Sequence, residues 1–143
     1  MAAPATFGQS VLNAQLDAIQ NNAVTVGLCK NYARADDFAT VQGKVIAQAT
    51  IHSGHAIWGT RSPDFSGGTD DADAHSLRQA LTAIELAAAT GTANGSSDDL
   101  SLVLMSGSEV LAVTDETSDR AVSVNDVITT FAYYIQSTQP STV

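Results

Sequence analysis

The sequence predicts a mainly β fold with a short N-terminal helix. Its strongest signal is a run of apolar, strand-like segments near the C-terminus, separated by small turn residues: 100–105, 109–114, 121–124 and 127–136. Between the first two segments, Ser106-Gly107-Ser108 is a three-residue glycine turn, which is typical of a β-hairpin. A helical apolar pattern near the N-terminus supplies the helix. No catalytic pattern accompanies these segments.

The predicted helix covers residues 7–21. Thr6 followed by Gln9 resembles a capping box, in which two side chains satisfy the free backbone N–H groups at the start of a helix. The apolar residues that follow recur at helical spacing and form one stripe, which consists of Leu12, Leu16 and Ile19.

Two further strands are predicted in the first half of the chain. Residues 24–29 are rich in β-branched side chains, and residues 44–51 alternate along their length. The segment between them, 30–43, is expected to be a polar loop. Residues 53–74 contain several glycines and a proline and are expected to form a long irregular loop. Residues 77–89 fit either a helix or a strand on their own pattern.

The length and charge of the chain restrict its organisation and its partners. The 143 residues suffice for one domain with its own core. We expect a single domain over 1–143, in which 1–22 is an N-terminal arm and helix and 23–143 is the β part. Six Lys and Arg residues against fifteen Asp and Glu residues give a formal net charge of −9. Because this charge repels phosphate backbones, nucleic acid is not expected as a partner.

Membrane and disulfide chemistry are also not expected. No apolar run approaches the roughly 20 residues of a membrane-spanning helix, and the N-terminus lacks the pattern of an export signal. A single cysteine, Cys29, excludes an internal disulfide. Its apolar neighbours predict a buried and unreactive thiol.

The segment 127–136 predicts which side chains form the core. Strand alternation puts Val127, Phe131 and Ile135 on one face and Ile128 on the opposite face. We expect Phe131 and Ile135 to be core residues.

The segment 100–105 is apolar on both faces, with Leu104 and Met105 pointing to opposite sides. One face is therefore expected in the core, and the other is expected to be covered by a second sheet, a helix or another subunit. On this ground we expect the isolated protein to associate with itself.

One region carries residue types that bind divalent metals. Imidazole and carboxylate are suitable donors, but here they lie in a loop without the spacing of a known metal site. We therefore expect a polar loop, no metal, no cofactor, and no effect of a chelator on stability. The residues concerned are His52, His55, Asp70, Asp71, Asp73 and His75.

The same loop contains the side chains that we expect to contact a partner. Trp58 and Arg61 are of the types that most often carry interface energy, and a glycine-rich loop becomes ordered most easily when something packs against it. The second apolar surface available for docking is the helical stripe of Leu12, Leu16 and Ile19.

The second half of the chain resembles a known family. Thr90-Gly91-Thr92-Ala93 leads through Asp98-Asp99 into Leu-Ser-Leu-Val-Leu-Met-Ser-Gly-Ser-Glu-Val-Leu-Ala-Val-Thr-Asp, followed by a segment that begins at Ala121 and a closing segment that begins at Phe131. This order is similar to that of small β-sandwich virion structural proteins of tailed bacteriophages, of the capsid decoration or cement type. The resemblance is best over 79–136.

The resemblance implies both a fold and a function. The fold would be an antiparallel β-sandwich, jelly-roll-like, in which 77–89 is mainly strand. The function would be that of a capsid decoration protein, which binds the major capsid protein on the outside of the phage head and forms a homotrimer. Such a protein is not an enzyme, and it is made in the host cytoplasm. The alternatives are a tail, neck or baseplate component, or a carbohydrate- or receptor-binding β-sandwich module.

Overall fold

A computed structural model of the chain describes residues 7–64, 76–116 and 119–138. Two helices and seven strands occur in the described part of the chain. In chain order they are α1 (Gln9–Asn22), β1 (Thr25–Lys30), α2 (Phe38–Lys44), β2 (Val45–Thr50), β3 (Trp58–Asp64), β4 (Ser76–Leu81), β5 (Leu100–Met105), β6 (Val110–Asp115) and β7 (Tyr133–Thr138).

The described strands form two antiparallel sheets. The first sheet has the order β2-β1-β5-β6, and the second has the order β3-β4-β7. Leu28 and Leu104 of the first sheet belong to the same buried apolar cluster as Leu81 of the second sheet, and Ile135 packs against that cluster. The predicted class, a mainly β antiparallel fold with a short N-terminal helix, is confirmed, and the shared core is that of a sandwich.

The hairpin predicted at the glycine turn is confirmed as β5 and β6. The Ser106 hydroxyl accepts the N–H groups of Ser108 and Glu109, and the Ser106 N–H donates to the Glu109 carbonyl. The turn therefore includes Glu109, which was expected to begin the strand, and β6 starts one residue later at Val110.

Strand β5 is buried along its whole length because both of its faces are covered within the chain. Leu100, Leu102 and Leu104 face the core between the sheets. Val103 and Met105 lie in a second apolar cluster, which helix α2 completes with the buried side chain of Val41. Since α2 covers this face, the two apolar faces no longer indicate another subunit, and the stated ground for self-association is lost.

Helix α2 lies in the segment 30–43, where a polar loop was expected. Asp37 is its N-cap, and the Asp37 side chain accepts the N–H of Thr40 at 2.8 Å. An aspartate at this position satisfies one of the free N–H groups at a helix start. The prediction was wrong because the helix is short and buries only Val41 among its own residues.

Helix α1 begins slightly later than predicted. The N-cap is Gly8, which has no side chain with which to cap the helix, and Gln9 is the first helical residue. Thr6, the proposed first member of the capping box, lies outside the described residues. None of the described helices is both long enough and apolar enough to cross a membrane.

Strand β3 falls within the segment 53–74, which was expected to be irregular. It pairs with β4, from Trp58 opposite Leu81 to Asp64 opposite Ser76. Gly59 and Pro63 weaken the strand pattern in the sequence, but β3 is an edge strand, where proline is tolerated. The remainder of the predicted loop, 65–74, lies outside the described residues.

The ambiguous segment 77–89 is strand only in its first part. Strand β4 ends at Leu81, and the chain then continues without a helix. The Ala87 N–H donates to the Gln48 carbonyl and the Thr90 N–H donates to the Ile46 carbonyl. This segment therefore occupies the outer edge of β2.

The two last predicted strands are shorter than expected. In 121–124 only Val122 pairs, as an isolated bridge with Ala93, and β7 begins at Tyr133. Before β7 the buried positions are Ile128 and Thr130, whereas Val127 is exposed. From Phe131 onwards the odd-numbered positions face inward: Phe131 and Ile135 are partly buried and pack against the core, as predicted.

The alternation thus changes phase between Thr130 and Phe131. Thr130 is buried because its hydroxyl accepts the N–H of Ile84, while its own N–H donates to the Ile84 carbonyl. The prediction that Val127 lies on the buried face is therefore wrong. It assumed that the alternation continues through Thr130, but there the backbone is held by its hydrogen bonds to Ile84.

This change of phase can be tested with two substitutions at adjacent positions. Ile128 is 5% exposed and Val127 is 62% exposed. Ile128→Ala should lower the free energy of unfolding by about 2–4 kcal/mol, because it leaves a cavity in the core. Val127→Ala, the matched control, should change it by less than about 0.5 kcal/mol. Urea denaturation measures both, and equal effects would contradict the assigned phase.

Candidate functional site

Trp58 stands at the start of β3 and is tied to the turn before it. Its indole N–H donates to the His52 carbonyl at 2.9 Å, and its ring packs, partly buried, against the main core. Part of the side chain remains accessible. Contact of Trp58 with a partner stays a prediction.

Arg61 is the centre of a polar cluster that attaches helix α1 to the second sheet. On the sheet, its Nε donates to the Gln79 side chain at 2.7 Å. On the helix, Nη1 donates to Asn13 Oδ1 at 3.0 Å and to Asp17 Oδ1 at 2.7 Å, and Nη2 donates to Gln20 Oε1 at 2.8 Å. The planar guanidinium suits this task because it presents several donors in fixed directions. Contact of Arg61 with a partner is untested, but its donors already have acceptors within the chain.

The apolar stripe of helix α1 is used within the chain. Leu12 is 0% exposed and Leu16 is 1% exposed, and both pack with Leu77 of β4. Ile19 is partly buried and packs against the main core. The expectation that this stripe is available for docking is therefore wrong for Leu12 and Leu16, because β4 supplies the surface against which an amphipathic helix buries its apolar face.

The two histidines of the region 52–57 shape a turn. His52 Nδ1 accepts the N–H of Gly54 at 3.2 Å, and His55 Nδ1 accepts the N–H of Ile57 at 3.0 Å. Asp70, Asp71, Asp73 and His75 lie outside the described residues. Over 7–64, 76–116 and 119–138, no group of three or more potential ligands is close enough to hold a metal ion. The expectation of no metal stays a prediction.

Two groups that could act as nucleophiles are buried. Cys29 is a free, fully buried cysteine, as predicted, and its burial raises the pKa of the thiol to about 11. Burial also raises the pKa of Tyr133 to about 12. A thiol that stays protonated at neutral pH is a poor nucleophile.

Glu116 is a buried carboxylate that follows β6. Arg120 Nη2 donates to its Oε1 at 2.7 Å, while its Oε2 has no hydrogen-bond partner in the described part of the chain. Desolvation by burial raises the pKa of Glu116, and the charge of Arg120 opposes this shift only in part.

A groove of about 440 Å³ lies between strand β6 and the segment that leads into helix α2. We call it the edge groove. One wall carries Tyr32, Arg34, Asp36 and Phe38, and the other wall is formed by 108–113. Lys44 Nζ donates to Asp36 Oδ2 at 2.7 Å, and this hydrogen bond lowers the pKa of Asp36. Sequence reasoning missed the groove. The sequence signal that could have indicated it is Asp37, a residue type that often caps the start of a helix. The helix that begins there packs Phe38 against the first sheet.

No protein-family model matches the sequence, and comparison with curated proteins and with solved structures finds no match. These comparisons therefore neither support nor contradict the resemblance to phage virion proteins.

The polar cluster around Arg61 can be tested by a change that keeps the charge. Arg61→Lys should lower the free energy of unfolding by about 1–3 kcal/mol, because an ammonium cannot reach the separated acceptors on α1 and on Gln79. Arg34→Lys, on an exposed arginine, is the matched control and should change it by less than about 0.5 kcal/mol. Denaturant unfolding that does not distinguish the two variants would contradict the role assigned to Arg61.

Glu116 should make stability depend on pH. The pKa of its carboxyl is raised in the folded state from a usual value of 4.5, so ionisation opposes folding as pH rises above that value. Glu116→Gln should therefore be more stable than the wild type at neutral pH, and the difference should shrink towards about pH 4.

The matched control for this pH effect is Glu109→Gln, on an exposed glutamate. Unfolding free energies are to be measured at both pH values for the wild type and both variants. A stability gap for Glu116→Gln that stays constant with pH would show that the carboxylate carries no such penalty.

Proposed function

We propose that this protein is a structural component of a tailed-bacteriophage virion, a capsid decoration (cement) protein that binds the outside of the head and stabilises it. Its partners are the major capsid protein and further copies of itself in a homotrimer. It acts by adhesion and has no enzymatic activity.

The observation that carries this proposal is the role of the residues that give the family resemblance. In Thr90-Gly91-Thr92-Ala93, a Cβ added at Gly91 would lie 2.7 Å from a side-chain atom of Ile46, so only glycine fits this approach without a shift. Ala93 is buried and exchanges both backbone hydrogen bonds with Val122. These motif residues build the fold, as expected of a structural protein.

The next residues of the pattern also have architectural roles. Asp98 accepts the Asn94 N–H at 2.8 Å and the Asn31 side-chain amide at 2.8 Å, and these two bonds lower its pKa. The Asp99 N–H donates to the Asn31 side-chain oxygen at 2.9 Å. Asn31 itself has a φ of 57°, in the left-handed region that asparagine tolerates. The Asp-Asp pair thus fixes the start of β5 next to the end of β1.

The charge of the chain supports a position on the outer surface of a head. A formal charge of −9 is repelled by packaged DNA, which makes the interior unfavourable. A protein that binds only the assembled shell stabilises that shell by mass action, by about 2.7 kcal/mol per site when its free concentration is 100 times its dissociation constant.

Quantitative mass spectrometry of purified phage particles tests this proposal. The copy number of the protein should be close to that of the major capsid protein. Particles from which the protein has been removed should rupture at a lower temperature, and adding the protein back should restore their stability. A few copies per particle would indicate a tail, neck or baseplate component instead, and absence from particles would refute a virion role.

A further inference from the structure

The two edges of the first sheet differ in whether another segment is hydrogen-bonded to them. The outer edge of β2 is bonded by the segment 87–90, through Gln48 and Ile46. Strand β6 forms the other edge, and the part of the chain that the structure describes contains no further strand beyond it. A free strand edge presents backbone donors and acceptors that another extended segment can use.

The pairing of β6 with β5 defines which backbone groups are free. The Glu116 N–H donates to the Leu100 carbonyl. In an antiparallel pair, inward hydrogen bonds are made by alternate residues, so Thr114 and Ala112 also bond towards β5. The backbone groups of Val113 and Asp115 therefore face away from the sheet, and no described backbone group outside the sheet bonds to them.

The edge groove lies beside this free edge and offers both apolar and polar side chains for contact with an added segment. Val113 is 36% exposed, and Tyr32 and Phe38 form the facing wall. Val113 pairs with Val103, and Asp115 pairs with Ser101. Because they lie two residues apart on one strand, Val113 and Asp115 point to the same side of the sheet.

We propose that the free edge of β6 binds an extended segment of a partner protein as an added strand, with an apolar side chain beside Val113 and a Lys or Arg side chain beside Asp115. This inference goes beyond the proposed function and does not depend on it. Backbone hydrogen bonds would supply affinity, and the apolar and basic side chains would supply specificity.

The charges around the edge favour a basic segment. Asp115 lies close to Asp99 and Asp119, and none of the three carboxylates forms an ion pair with a described residue. The pKa of Asp99 is raised by slight desolvation and by the charges of Asp115 and Asp119, as expected of carboxylates that repel one another. A cation at this end of β6 would relieve the repulsion.

The same charges disfavour a second copy of this chain as the occupant. An antiparallel β6–β6 pair centred on Ala112 or Val113 would bring Glu109 of one copy opposite Asp115 of the other, or within two positions of it. Like charges at such cross-strand positions are destabilising. Within the groove itself, the lining includes both Arg34 and Glu109, and Asp36 is already paired with Lys44.

Two labelled peptides test the proposal. For an added strand antiparallel to β6 the probe is Lys-Thr-Val-Thr-Val, and for a parallel one it is Val-Thr-Val-Thr-Lys, each with blocked ends. One of the two should bind the full chain with a dissociation constant below about 1 mM in fluorescence anisotropy. The same peptide with N-methylated valines, which cannot donate backbone hydrogen bonds, should bind at least about tenfold more weakly.

Variants of the protein complete the test. Val113→Pro removes an outward N–H from an edge strand and should weaken binding about tenfold or more. Val113→Thr keeps that N–H and is the matched control, with an expected loss below about threefold. Asp115→Asn should weaken binding and make it less sensitive to salt. Thermal unfolding is measured for each variant to verify that it is folded.

The outcomes separate the proposal from its rivals. Failure of both peptides to bind at about 1 mM, or equal binding by the N-methylated peptide, would overturn it. Concentration-dependent dimerisation that Val113→Pro abolishes would assign the edge to a second copy instead. Because no phage particle is used, a negative result here leaves the copy-number measurement on virions unaffected.

Discussion

Strand β5 imposes the constraint on which the rest of the fold depends. All six of its residues are buried, so both of its faces need an apolar cover. The face that carries Leu100, Leu102 and Leu104 is covered across the shared core by the second sheet, and the face that carries Val103 and Met105 is covered by helix α2. A strand in this position fixes its neighbours on both sides, because β1 and β6 must pair with it in the register that keeps each face buried.

The second sheet depends in turn on helix α1. Its central strand, β4, buries Leu77 under Leu12 and Leu16, and Arg61 of β3 bonds to three side chains on the same helix. Ion pairs at the surface contribute little by themselves, and Asp17 is more than half exposed. What makes this cluster effective is the number of acceptors around one rigid guanidinium, together with the apolar contact beneath it. Arg61, Leu12 and Leu16, which looked suitable for contact with a partner, are therefore occupied in holding the helix against the second sheet.

Local patterns were sufficient where an element depends on its own residues. The hairpin of β5 and β6, helix α1 and the buried state of Cys29 follow from apolar spacing and a glycine turn. Strand β3 could not be predicted in this way, because Gly59 and Pro63 disrupt its pattern and its strand conformation comes from pairing with β4. The change of phase at Thr130 was hidden for a similar reason. It depends on Ile84, which is distant in sequence: its backbone N–H donates to the Thr130 hydroxyl, and its carbonyl accepts the Thr130 N–H. Contacts of this kind leave no periodic signal in either segment.

The candidate binding edge illustrates the same limit for function. Residue types directed attention to Trp58 and Arg61, since Trp and Arg are frequent at interfaces. The edge of β6 is instead defined by backbone groups, which every residue possesses, and its availability depends on what the neighbouring segments do. The segment 87–90 closes the edge of β2, whereas the chain near Phe38 covers the face of the first sheet beside β6, and no described segment pairs with the outer edge of β6. Only the three-dimensional arrangement distinguishes these two edges, because small and β-branched residues make up most of both strands.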